Sequence, residues 1–317
     1  MTFEDKDYLE KMNTLVLPFL RLNLENGSFD SFDGAKINYC YIKNPIGKAT
    51  IVISHGFCEF IPKYYEMFYY MYKEGYSVYM LEHRGHGYSQ RFVDDLDMVY
   101  VGSFLDYVED LKLFVEEIVK PQQKFSRIYL YGHSMGGGIS ALFLEKYPDI
   151  FDKAVLSSPM ISINFKKIPK HWVKAAMALA KVLRWDKKYV PGNHGFREKR
   201  KASKGTAMSE PRYDFYCDYR LKDKHYRTYG ASFKWAREAV ALTKKIKKNI
   251  SRIHIPVLLC QSGDETLVDN SAQDYLVEKS EYITKIEYPN AKHQLYNATK
   301  EIRDKFYHDI FNFFEQK

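Results

Sequence analysis

Cysteine is scarce in this chain, which has four among 317 residues. None of the four lies at a spacing typical of metal ligands or redox pairs. The composition therefore argues against a cysteine-based metal or redox site and predicts a reduced, cytoplasmic setting. The four are Cys40, Cys58, Cys217 and Cys260.

Long apolar runs are also missing. The longest, such as residues 175–180, fall well short of the roughly 20 residues that a membrane-spanning helix needs. The first ten residues are acidic and polar, and no small-residue cleavage site follows them, so we expect no secretory signal. The sequence predicts a soluble protein, or one held at the surface of a membrane.

Positive charge is concentrated in one part of the chain. The net charge is +8, but residues 161–250 hold 24 Lys and Arg against 7 Asp and Glu, a local charge of +17. Two interpretations stay open: a solvated helical surface, or peripheral contact with an anionic membrane at its inner face. No nucleic-acid-binding motif accompanies the charge, so we expect no nucleic-acid partner. The sequence leaves the oligomeric state open.

Short apolar runs alternate with stretches of helical period. Most of the runs are apolar throughout, as strands buried on both faces of a parallel sheet are. The alternation predicts an α/β fold with a mainly parallel sheet flanked by helices. Strands are expected at 36–42, 49–54, 76–82, 127–131, 153–157, 256–261 and 282–288, and helices at 63–73, 104–119, 135–147, 271–279 and 300–314.

One long gap interrupts this alternation. Residues 161–251 contain no clear strand, but they include amphipathic stretches at 173–183 and 233–246. We interpret them as a basic, mostly helical lid inserted between late strands. The predicted core then consists of residues 1–160 and 252–317. An N-terminal stretch at 8–22, interrupted by Pro18, is expected to pack against this core as an arm.

The sequence around Ser134 indicates a nucleophile. Gly-His-Ser-Met-Gly, at residues 132–136, follows an apolar strand and opens a helix. A serine on such a sharp strand-to-helix turn needs small residues two positions away on each side, which Gly132 and Gly136 supply. The helix start also directs backbone N–H groups towards the reacting oxygen, so the amide of Met135 is the first candidate oxyanion donor.

A second oxyanion donor is expected in the loop after an earlier strand. Ser-His-Gly-Phe, at residues 54–57, follows such a strand, and we predict that the amide of Phe57 is this donor. In folds of this type, the acid and then the histidine follow the serine along the chain. His293 follows the last strand and precedes the last helix, so it is the candidate base.

The candidate acids lie in one loop after a late strand. Asp264, Glu265 and Asp269 are all present there, and any of the three could accept the histidine N–H and stabilise the imidazolium. Order along the chain alone does not choose among them.

Several motifs together resemble the α/β-hydrolase serine hydrolases that include bacterial lysophospholipases and monoacylglycerol lipases. They are the His-Gly loop, the glycine-rich turn at 132–137, and segments 82–89, 106–111, 158–160 and 233–238. The resemblance covers nearly all of the chain. It implies that Glu265, before Thr-Leu-Val, is the triad acid. Many relatives have aspartate at the position of Glu265, so this sequence departs from the commoner residue, and neighbouring Asp264 is the alternative. It implies that Asp269 caps the next helix.

The same resemblance suggests further site residues. Glu59 matches a family glutamate that either pins the oxyanion loop by hydrogen bonds or contacts a polar head group. Residues expected to contact substrate are His55, Gly56, Glu59, His133 and Trp235.

These observations predict a serine carboxylester hydrolase that works through an acyl-enzyme and needs no cofactor or metal. The expected substrate is a single-chain lipid ester, with a lysophospholipase favoured. A monoacylglycerol lipase and a general carboxylesterase are alternatives. From another class, an acyltransferase that uses a lipid alcohol as acceptor also fits the scaffold.

Overall fold

The computed structural model describes residues 2–165, 168–197 and 206–316. Its strands reproduce the seven expected ones to within two residues at either end and add three others. The strands are β1 (Glu25–Asp30), β2 (Lys36–Ile42), β3 (Ala49–Ser54), β4 (Tyr76–Leu81), β5 (Met98–Val99), β6 (Ile128–His133), β7 (Lys153–Ser157), β8 (Gly230–Ala231), β9 (Val257–Ser262) and β10 (Ile283–Tyr288).

Eight of these strands form one sheet in the order β1-β2-β4-β3-β6-β7-β9-β10. β2 pairs antiparallel with both β1 and β4, whereas the other neighbours are parallel. Every residue of β3, β4, β6 and β9 is buried, which explains their continuous apolar runs. This confirms the predicted α/β-hydrolase fold.

Helices cover both faces of the sheet. Val52 of β3 belongs to the apolar core on one face, and its neighbours Ile51 and Ile53 belong to the core on the other. The helices are α1 (Tyr8–Lys11), α2 (Leu17–Asn23), α3 (Tyr65–Lys73), α4 (Phe104–Leu113), α5 (Lys120–Gln122), α6 (Met135–Lys146), α7 (Lys170–Val182), α8 (Glu210–Lys222), α9 (Phe233–Asn249), α10 (Asn270–Lys279) and α11 (Lys300–Glu315). Within the described ranges, no helix is both long and apolar enough to cross a bilayer.

The N-terminal arm is helical through Pro18. A π-helical turn at Met12–Val16 joins α1 to α2, and the proline lies at the first turn of α2, where its missing N–H is tolerated. The expected interruption is therefore a change of helix type. The arm's buried residues, Tyr8, Met12, Val16 and Leu20, pack into the core on one face of the sheet.

Two of the longer elements, β1 and α8, lacked a sequence signal. β1 is a polar edge strand with only Phe29 buried, so its apolar pattern is too weak to read. α8 buries Arg212 together with Tyr216 and Cys217, and a buried arginine disrupts the helical period of apolar residues.

The chain between β7 and β9 carries α7, α8 and α9, in agreement with its expected helical character. Where the sequence shows no clear strand, the structure adds β8, which pairs with β5 in a separate two-stranded sheet. This two-residue strand is too short to produce a pattern. The division into core and lid at residues 161 and 251 stays a prediction.

Candidate active site

Ser134 lies on the turn between β6 and α6. Its φ of 53° and ψ of −116° form a strained conformation for a residue with a side chain. The turn is held by its own backbone: the N–H of Ser134 donates to Ser157 O at 3.0 Å, and its carbonyl accepts from Met160 N at 2.8 Å. The strain is thus maintained by two anchored peptide groups.

The flanking glycines are required by close packing. A Cβ on Gly136 would lie 2.0 Å from the carbonyl oxygen of Ser54, and one on Gly132 would lie 2.9 Å from Gly136 O. Neither backbone contact can be relieved by rotating a side chain. The sequence argument for small residues is therefore supported by specific backbone contacts.

A hydrogen-bonded chain links three of the predicted residues. His293 Nε2 lies 2.8 Å from Ser134 Oγ, and His293 Nδ1 lies 2.7 Å from Glu265 Oε2. The His293 residue is 3% exposed and Ser134 is 9% exposed. With Glu265 accepting at Nδ1, Nε2 is left to accept the serine proton, which is the geometry of general-base catalysis.

The structure brings Glu265 to the histidine, whereas Asp264 is exposed. Glu265 Oε1 accepts the backbone N–H groups of Thr266 and Leu267 at 2.8 and 2.7 Å. Burial by itself raises the pKa of Glu265, but hydrogen bonds and the charge of His293 outweigh it and lower the pKa to about 2. Asp269 accepts the Ser271 N–H at the start of α10, as the predicted cap.

The loop after β3 packs directly against the serine turn. The close approach of Gly136 to the backbone of Ser54 and His55 places these two segments side by side. Phe57 lies in this loop and Met135 begins α6, so both proposed oxyanion amides belong to segments that meet beside Ser134.

Glu59 is buried beneath the same loop. Its Oε2 accepts the Gly56 N–H at 2.7 Å and the hydroxyl of Tyr64, while Oε1 accepts from Lys63 Nζ and Tyr296 OH, both at 2.6 Å. Although burial opposes ionisation, the charge of Lys63 and its hydrogen bond hold the pKa of Glu59 well below its ordinary value. These contacts support the loop-pinning role over contact with a head group.

The other residues expected to touch substrate also lie inside the protein. His55 and His133 are at most 1% exposed, and burial lowers their pKa values to about 4 and about 3. Trp235 is 5% exposed and packs on Phe57 with ring centroids 4.3 Å apart. Gly56 is buried as well. Burial therefore favours a positioning role for these residues rather than direct contact.

Some supporting groups were not found from the sequence. Ser262 donates its hydroxyl to Glu265 Oε2 at 2.7 Å, and Lys63, Tyr64 and Tyr296 surround Glu59. Their partners lie on distant segments or on loops whose shape the sequence does not show. Only the four-residue spacing of Glu59 and Lys63, typical of helical ion pairs, could have suggested one of them.

Known proteins are similar to this chain over most of its length. Lysophospholipase L2 of Escherichia coli K12 is 29% identical over 255 residues, covering 80% of this chain and 74% of that protein. Monoglyceride lipase of Mus musculus is 28% identical over 282 residues, covering 86% and 84% of the two chains.

Solved structures show the same fold. A soluble variant of monoglyceride lipase from Saccharomyces cerevisiae, in complex with a substrate analogue, superposes with a TM-score of 0.73 at 20% identity, covering 92% and 95% of the two chains. The family model for serine aminopeptidase, S33, matches residues 46–312. This chain therefore belongs to the S33 serine aminopeptidase family, with the α/β-hydrolase fold.

Proposed function

We propose that this chain is a serine carboxylester hydrolase acting on single-chain lipids, with lysophospholipids favoured. The observation that carries the proposal is the hydrogen-bonded chain from Ser134 through His293 to Glu265. The relatives named lysophospholipase and monoglyceride lipase support the ester substrate class.

The first half of the proposed reaction forms an acyl-enzyme. His293 Nε2 takes the proton of Ser134 as Oγ forms a bond to the ester carbonyl carbon, and the amides of Phe57 and Met135 donate to the oxyanion. The intermediate collapses, the ester C–O bond breaks, and the imidazolium returns the proton to the leaving alcohol. Glu265 stabilises the imidazolium throughout.

In the second half, water replaces the alcohol. His293 takes a proton from the water as the water oxygen attacks the acyl carbon. The bond between the acyl carbon and Ser134 Oγ then breaks. The proton passes to Oγ, which restores the serine and releases the fatty acid. Acyl transfer to a lipid alcohol follows the same path, with the alcohol replacing water.

An apolar groove between α7 and α9 supports a lipid substrate. Its volume is about 790 Å³, within the range of pockets that enclose one small-molecule ligand. A smaller cavity of about 320 Å³, lined in part by Glu265, shares Ile163 and Phe165 with the groove, so the groove adjoins the acid end of the triad. Its apolar lining includes Ile163, Phe165, Val173, Met177, Val240 and Ala241.

The charge around this groove favours lipids with a phosphate over uncharged glycerides. Among the residues that the structure describes, six basic side chains and no carboxylate line it. Each basic group near a lipid surface contributes about 1 kcal/mol of attraction to negative charge. The basic residues are Lys174, Lys181, Arg237, Lys244, Lys247 and Lys248.

The outer face of α7 supports peripheral membrane contact. Trp172, Leu179 and Val182 are 64%, 56% and 79% exposed and lie at helical spacing on one side of the helix. Exposed Lys174 and Lys181 lie on the other side of the same helix, towards the groove. An exposed apolar stripe with lysines on the opposite, polar side is typical of helices that lie in the interface of an anionic bilayer.

Hydrolysis of matched esters tests the function. Wild type should react with a fluorophosphonate and cleave lysophosphatidylcholine faster than monoacylglycerol of the same chain length, and Ser134→Ala should do neither. Product analysis with added glycerol or lysolipid separates hydrolysis from acyl transfer. Labelling without lipid cleavage would contradict the substrate, and absence of labelling would contradict the mechanism.

A further inference from the structure

Two side chains from the segment between β7 and β9 contact the loop next to the Phe57 amide. Trp235 of α9 packs its ring on Phe57, with centroids 4.3 Å apart. Arg220 of α8 donates from Nη2 to the carbonyl oxygen of Cys58 at 2.5 Å. The loop that carries the proposed oxyanion donor is therefore anchored from outside the central sheet.

The loop has a reason to need such an anchor. Cys58 has a φ of 59°, a left-handed conformation that residues with a Cβ rarely adopt. Glu59 holds the His55–Gly56 peptide by accepting the Gly56 N–H, but this contact comes two residues before Cys58. Arg220 binds the Cys58 carbonyl itself, and so fixes the strained residue next to Phe57.

Arg220 is itself held in place by aromatic rings. Its guanidinium lies 5.5 Å from the centre of the Phe60 ring and 5.9 Å from that of Tyr216. Tyr226 stacks on Phe60 with centroids 4.7 Å apart. Residues 220–226 therefore contact both Cys58 and Phe60, the two neighbours of Glu59 in the loop.

We propose that Arg220 is a positioning residue for the oxyanion site, so that α8 controls the orientation of the Phe57 amide. The inference rests on the proposed function, because it takes Phe57 as an oxyanion donor. A donor accelerates the reaction when it is already aimed at the position where charge develops. Loss of the Arg220 contact should leave substrate binding largely intact and slow the chemical step.

The test compares two arginines of the same helix. Arg212 of α8 is buried and binds Glu66 and Asp5 near the N-terminal arm, so Arg212→Met is the matched control. Turnover and the rate of fluorophosphonate labelling are measured well below the unfolding temperature of each variant. Phosphonylation of Ser134 also places negative charge on an oxygen, so it reports the same donor without lipid binding.

Arg220→Met should lower kcat and the labelling rate by roughly 10- to 100-fold with little change in KM. Arg220→Lys should recover part of the loss, because an ammonium group can still donate to the carbonyl. Arg212→Met should lower the unfolding temperature but change kcat less than about threefold. If Arg220→Met does not fold, Arg220→Gln replaces it, with the same loss expected.

Three results would overturn the proposal. The first is a folded Arg220→Met or Arg220→Gln variant with wild-type kcat and labelling. The second is an equal kcat loss in the Arg212 control, which would indicate a merely structural effect. The third is a rise in KM alone. Failure of the proposed function is recognised separately, because wild type would then lack Ser134-dependent labelling or ester cleavage.

Discussion

The Oε2 atom of Glu265 lies 2.7 Å from Nδ1 of His293, and it also accepts the hydroxyl of Ser262. Adjacent Asp264 is exposed and donates its backbone N–H to Ala291 O. Two neighbouring carboxylates are therefore separated into one that faces the histidine and one at the surface.

Glu265→Gln should reduce kcat by roughly 10²- to 10⁴-fold, because the amide no longer stabilises the imidazolium and disfavours the required tautomer. Asp264→Asn, the matched control, should stay within about threefold of wild type. Steady-state kinetics on one ester measure both. A larger loss in Asp264→Asn than in Glu265→Gln would reassign the acid.

Removing one partner of the buried pair of Lys63 and Glu59 should be strongly destabilising. Both side chains are 4% exposed. Lys63→Met leaves the carboxylate without its cation and should lower the free energy of unfolding by about 3 kcal/mol. The double variant Glu59→Gln/Lys63→Met should be more stable than Lys63→Met. Chemical denaturation measures both, and equal stability of the two variants would argue against a desolvated carboxylate.

Glu145 should make stability depend on pH. It is 1% exposed, neither carboxylate oxygen has a hydrogen-bond partner among the described residues, and burial raises its pKa to about 8. In the unfolded chain, Glu145 ionises near its ordinary pKa of 4.5. Between this pH and about 8, folding therefore requires the Glu145 carboxylate to bind a proton. The contribution of Glu145 to stability should therefore fall as pH rises from about 4.5 to about 8.

Glu145→Gln removes this dependence. The unfolding temperature of the variant minus that of wild type should be larger at pH 8 than at pH 5. The difference in unfolding free energy should change by at most about 1.4 kcal/mol per pH unit. Thermal unfolding of both proteins at the two pH values measures this difference. If the difference in unfolding temperature is the same at both pH values, the prediction is contradicted.

Membrane contact through α7 should require both its apolar face and its charge. Trp172→Ala/Val182→Ser should reduce sedimentation with vesicles that contain roughly one third phosphatidylglycerol, and high salt should reduce wild-type binding. Leu22→Ser, at an 85% exposed position on α2, is the control and should bind as wild type does. Equal losses in the two variants would show that the surface contact is non-specific.

The sequence indicated the fold because four parallel strands, β3, β4, β6 and β9, are buried throughout and their runs are largely apolar. It also indicated Ser134 and His293, since a glycine-flanked turn and the chain order of this fold restrict the candidates strongly. The polar edge strand β1 and the arginine-burying helix α8 produce no such pattern, so their residues had to be located by the structure.

Only tertiary structure decided which neighbouring groups act together. Asp264 and Glu265 both follow β9, so their order along the chain does not distinguish them. The path of the loop after β9 brings Glu265 to His293. Glu59 and Arg220 contact Gly56 and Cys58 in the proposed oxyanion loop, the second from 162 residues away. Local sequence determines strands, helices and strained turns, but long-range hydrogen bonds depend on how those elements pack.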